Sequence, residues 1–79
     1  MENFGNRLRE IREKRGLSQR QSVKMIAKIG VTQDCKSDVI GKYERGERFP
    51  SAYKLRDICV ALNVSADYLL GLSDKEDLK

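Results

Sequence analysis

Hydrophobic residues return along this chain every three or four positions. Nowhere do they alternate as in a half-buried strand, so the pattern predicts five helices and no strands. The first helix covers about Phe4 to Arg15, with Phe4, Leu8 and Ile11 on one stripe between arginines and glutamates. Gly16 takes the left-handed place just past its end, and Leu17 is the hydrophobic residue that closes it. The second helix begins after Ser18, because "SQRQ" sets Ser18 three residues before Gln21 in a capping box. Met25, Ile29, Ile26, Val23 and Ala27 spread over an arc of about 200° on its wheel, and Gln21, Arg20, Lys24 and Lys28 fill the rest. That arc is wider than a surface helix needs, so something besides the first helix is expected to cover it.

Gly30 to Lys36 reads as a connection, since Gly30, Thr32 and Asp34 favour turns. A short third helix follows over about Ser37 to Arg45 and stops at Gly46. Val39, Ile40, Tyr43 and Glu44 share one side of it; Ser37, Asp38, Gly41, Lys42 and Arg45 share the other. Beyond the single proline, Pro50, Ser51 caps a fourth helix whose apolar stripe is Leu55, Ile58, Cys59 and Leu62. Asn63 can take the left-handed conformation at its end. Ser65 caps a fifth helix over Ala66 to Leu70, ended by Gly71. The expectation is an all-α domain over residues 1–72 and a charged, frayed tail over 73–79. Tyr53 and Tyr68 are expected to be partial core. The apolar cluster Tyr68, Leu69, Leu70 and Leu72 fits either bundle core or a dimer contact.

Composition narrows the function. A chain of 79 residues buries only about 60% of its unfolded surface, which leaves room for one core and little for an enzyme cleft. No apolar run approaches the roughly 18 residues of a membrane helix, and the start lacks a secretory segment, so no membrane partner and a cytoplasmic location are expected. There is no histidine, and the two cysteines, Cys35 and Cys59, have no CxxC spacing. Acid–base chemistry at neutral pH and a zinc site would both lack their usual groups. Neither an enzyme, a metal nor a cofactor is expected. Cys59 falls on an apolar stripe and is expected in the core, Cys35 in an exposed turn.

The net charge of +4 is unevenly spread. Residues 1–48 carry twelve Lys or Arg against seven Asp or Glu, whereas residues 49–79 carry four against five. A basic N-terminal half fits a phosphate-binding surface or a merely solvated one. Arg7, Arg9, Lys14 and Arg15 read as a solvated helix face, with a phosphate contact as the alternative for any of them.

Three separated segments then point one way. "RLREIREKRGLSQ" (7–19), "YERGERFPS" (43–51) and "LRDICVALNVSADYLLG" (55–71) resemble the helix-turn-helix regulators of the phage repressor/Cro type. The resemblance implies a compact five-helix, lambda-repressor-like DNA-binding domain whose third helix enters the major groove. It implies a transcriptional regulator, a repressor, that binds double-stranded DNA as a homodimer on two half-sites. Its DNA-contacting positions would be Gln19 and Arg20 at the start of the second helix and Lys36, Ser37 and Asp38 at the start of the third. Gly41, Lys42, Arg45 and Arg48 would complete them. Gln19 matches a family position that touches phosphate, where a helix N-terminus attracts an anion. Lys42 or Arg45 suits guanine or phosphate, and Asp38 suits cytosine but repels phosphate. The family also pairs the glutamate of its third helix with an arginine of its first, here Glu44 and Arg12, a structural contact.

The chain departs from that pattern between Gln19 and Tyr43, which are farther apart by about two helical turns' worth of residues. About one turn of the excess precedes Gly30 and predicts an extended second helix; the rest lengthens the turn around "TQDCKS". Ser22 stands where the family has leucine. The longer turn either covers the broad apolar arc through Val31, touches DNA through Lys36, or binds a partner. A second reading keeps the fold as a protein-interaction module, an antitoxin or anti-regulator with a protein partner. The altered turn and Asp38 motivate it.

Overall fold

The expected stripes converge on one core. The computed structural model describes residues 4–29 and 38–76, and among them all regular structure is helical. The helices are α1 (Phe4–Lys14), α2 (Gln19–Ile29), α3 (Val39–Glu44), α4 (Ala52–Leu62) and α5 (Ala66–Leu69). Leu8 and Ile11 of α1, Ile26 of α2, Ile40 of α3, Ile58 and Leu62 of α4, and Leu69 of α5 are all fully buried together. Helix α1 packs on α3 and α5, α2 packs on α3 and α4, and α4 packs on α5. The broad apolar arc of α2 is therefore covered by α3 and α4. It is also narrower than expected, because Ala27 and Ile29 are exposed while Ser22 is completely buried.

The helix ends follow the local signals. Ser18 and Gln21 form the capping box reciprocally: Gln21 N donates to Ser18 Oγ at 3.0 Å and Ser18 N to Gln21 Oε1 at 2.8 Å. Ser51 and Ser65 accept from Lys54 N and Tyr68 N at the starts of α4 and α5. Four helices end alike. At α1, Gly16 N donates to Glu13 O and Leu17 N to Arg12 O, the paired closure that needs one left-handed residue. Gly46, Asn63 and Gly71 close α3, α4 and α5 in the same way, each at positive φ.

Several expectations change. Helix α3 starts at Val39, later than expected, and its cap residue Asp38 makes no side-chain capping bond. Tyr53 is exposed rather than partial core, and Tyr68 is core. The tail is not frayed over 73–76. Ser65 N donates to Glu76 O at 2.8 Å, Ser65 Oγ to Lys75 O at 3.0 Å, and Lys14 Nζ to Glu76 Oε1 at 2.6 Å. The cations expected on a solvated face hold this arrangement. Arg7 Nη1 donates to the Tyr68 and Ser73 carbonyls, both at 2.9 Å, with its guanidinium 4.4 Å from the Tyr68 ring centroid. Arg15 bonds the carbonyls of Leu62 and Asn63 at the end of α4. Of the cluster 68–72, Tyr68 and Leu69 are core, whereas Leu70 and Leu72 are exposed. Cys59 is buried, and burial pushes its thiol up to about 11, so it stays protonated as a packing group. The connection with Cys35, Lys36 and Ser37 lies outside the described residues, as do the lengthened turn and any continuation of α2 past Ile29.

Candidate nucleic-acid interface

Helix α3 is only six residues long, and its orientation is fixed from beneath. Val39, Ile40 and Tyr43 enter the core, and Phe4 meets Tyr43 edge to face at 6.4 Å. The fourth inward residue is an acid, and its partners account for its burial. Glu44 has a side chain with no exposure and accepts from three residues on α1 and α2. Arg12 Nε reaches Glu44 Oε2 at 2.6 Å and Arg12 Nη2 reaches Oε1 at 3.2 Å. Gln19 Nε2 donates to the same Oε1 at 3.2 Å, and Arg9 Nε approaches it at 3.4 Å. Arg12 Nη1 continues to the Leu17 carbonyl at 2.8 Å. The Glu44 hydrogen bond raises the Arg12 pKa, so the guanidinium stays charged at every ordinary pH. The expected contact between Glu44 and Arg12 is therefore present and locks the end of α1 to α3, while Gln19 ties in the start of α2. Gly5 sets the closeness of α1 and α3. A Cβ there would overlap the Glu44 carbonyl and stand 2.7 Å from that of Tyr43.

The opposite side of α3 faces outward beside the start of α2. Asp38 is exposed, and its Oδ2 lies 3.4 Å from Lys42 Nζ one turn on. Arg45 is exposed and pairs with Glu47 at 2.6 Å. Arg48, in the loop after α3, and Arg20, in the first turn of α2, are exposed and make no ion pair among the described residues. Gln19 is half-buried between this face and Glu44. Gly41 is buried, covered by two polar neighbours: a Cβ there would stand 3.0 Å from Arg45 Nη1 and 3.2 Å from Gln19 Oε1. The structure thus brings Gln19 and Arg45 together over Gly41 and pairs Asp38 with Lys42 on the same helix, while Arg20 and Arg48 are exposed residues next in the chain to Gln19 and Glu47. Lys36 and Ser37 lie outside the described residues. Glu47 is the residue that sequence reasoning passed over. The alternating signs of "ERGER" were the available signal, since a glycine-closed helix end brings the acid back onto the preceding arginine.

The surface is a short helix with cations on its outer face, held beside the amino end of a second helix. Amides in the first turn of α2 have no carbonyl in a preceding turn, and that end carries positive partial charge. Chemically this suits a polyanion with a groove.

Comparison with known proteins agrees. A family model described as a helix-turn-helix domain matches residues 3–70. An uncharacterized HTH-type transcriptional regulator, YazB of Bacillus subtilis (strain 168), is 37% identical over 66 residues, or 84% of this chain and 86% of that one. The P22 c2 repressor, solved in complex with a synthetic operator, superposes with a TM-score of 0.78 at 29% identity. The match covers 92% of this chain and 100% of the repressor chain.

Proposed function

The chain belongs to the helix-turn-helix domain family, and from that premise we propose that it is a sequence-specific transcriptional repressor of the cytoplasm. It lays α3 into the major groove of double-stranded DNA. The observation that carries this reading is the division of α3. Val39, Ile40, Tyr43 and Glu44 are locked inward, so Asp38, Lys42 and Arg45 lie on the opposite side, which Gln19 at the start of α2 adjoins. A B-DNA major groove about 12 Å wide admits such a helix. Arg45 and Lys42 then meet base edges, the start of α2 meets phosphate through Gln19 and Arg20, and Arg48 neutralises the backbone beyond α3. A homodimer places two such helices about one helical turn apart on the duplex. Leu70 and Leu72, which the monomer leaves exposed, supply apolar area for that contact. No described helix is long and apolar enough to cross a membrane.

The test is a fluorescence anisotropy titration against the DNA upstream of its own gene across salt. Affinity should fall by orders of magnitude between about 50 and 200 mM salt. Arg45→Ala should weaken the preferred sequence by about 1–3 kcal/mol and relax discrimination at one base pair, whereas Arg48→Ala should weaken all duplexes alike. Salt-independent or absent binding would overturn the reading.

A further inference from the structure

Arg45 is the best-placed cation for reading a base, yet in the free protein its donors are engaged. Nε donates to Glu47 Oε2 at 2.6 Å and Nη2 reaches Oε1 at 3.5 Å. Both carboxylate oxygens thus face one edge of the guanidinium, while Nη1 lies back over α3 towards Gly41. The acid is anchored independently of the arginine. Glu47 N donates to the Lys42 carbonyl at 3.0 Å in the closure of α3, and Gly46 beside it has φ +75°. Backbone geometry therefore keeps an acid beside Arg45, although both side chains are about half exposed. Their mutual hydrogen bond raises the Arg45 pKa and lowers that of Glu47, so both stay charged.

We propose that Glu47 is a specificity-determining residue: it occupies the paired-donor edge of Arg45 until a base with two matching acceptors replaces it. The proposal rests on the DNA-binding reading above. Guanine offers O6 and N7 side by side, so it can exchange for the carboxylate one pair of bonds for another. The pair is exposed and weak, so a correct base can open it. A contact between Arg45 and the sugar–phosphate backbone brings the anchored Glu47 towards that same phosphate. Glu47 then cancels the charge on which sequence-independent binding depends. Base edges lie in the groove, away from the phosphates, and escape this penalty. Asp38 stands to Lys42 in a similar way, but at a longer 3.4 Å. Glu47 carries the proposal because two of its atoms engage and its backbone is fixed.

The experiment compares wild type with Glu47→Gln, which keeps the shape and removes the charge. The probes are the duplex that wild type enriches from a random-sequence pool and a shuffled duplex of the same length. Anisotropy titrations run over about 50–200 mM salt. Glu47→Gln should bind the shuffled duplex about fivefold tighter, the weight of one unit charge near a phosphate in water. It should bind the enriched duplex less than about twofold tighter, so discrimination falls by about threefold. The logarithmic salt slope on the shuffled duplex should steepen by about 0.9, one phosphate equivalent. Glu47→Asp, acidic but shorter, should restore part of the discrimination, and neither variant should shift the thermal midpoint appreciably. Equal gains on both duplexes, or none, while wild type discriminates normally, would overturn this inference alone. A wild type that enriches no duplex and binds none with salt dependence would overturn the DNA-binding reading as well.

Discussion

At the scale of single residues, the position of α3 depends on a buried charge. Glu44 sits under the helix with a fully buried side chain, and its compensation comes from Arg12, Gln19 and Arg9. Arg9 is half exposed and at the limit of hydrogen-bond distance, so its share is small. Removing one partner of a buried pair leaves an uncompensated charge, which generally costs about 3–5 kcal/mol. Arg12→Ala should therefore destabilise the protein by about 3 kcal/mol in urea unfolding, near the low end because Gln19 remains. Arg12→Lys should fall between, since an ammonium cannot span both Glu44 oxygens and the Leu17 carbonyl. An Arg12→Ala loss of under about 0.5 kcal/mol would mean that the pair is effectively solvent-screened. Its pattern position made this contact legible from sequence. Ser22 and Asp57 are polar yet completely buried, and the pattern of hydrophobic positions gave no sign of it. Their burial depends on how the helices pack, which a one-dimensional pattern does not encode.

At the scale of elements, boundaries written in local chemistry were read well. The Ser18 box, the serine caps and the left-handed ends at Gly16, Gly46, Asn63 and Gly71 each depend on bonds within a few residues. The roles of long cations were misread. Arg7, Lys14 and Arg15 look like a solvated stripe of α1, but their partners are carbonyls and an acid more than forty residues away. A flexible side chain declares its partner only once the helices are assembled. Helix ends also separate stability from function. Neither Gly16 nor Gly46 has a neighbour within 4 Å of an added Cβ, so alanine at either costs only left-handed backbone strain. Gly16→Ala and Gly46→Ala should each lose about 1–2 kcal/mol of stability. Only Gly46→Ala should also change DNA affinity, because its closure positions Glu47 beside Arg45. Equal effects of both glycines on binding would contradict that assignment.

At the scale of the molecule, the five described helices surround one core and residues 73–76 fold back onto α1 and α5. The central claim is that the outer side of α3, with the start of α2, meets the duplex. Its most direct measurement is the amide chemical-shift map of the labelled protein as its preferred duplex is added. The account predicts the largest shifts over residues 18–21 and 38–48, with the buried α4 amides around Ile58 nearly still. Shifts confined instead to Tyr53, Val60 and Leu70, with 38–48 unmoved at saturation, would contradict it.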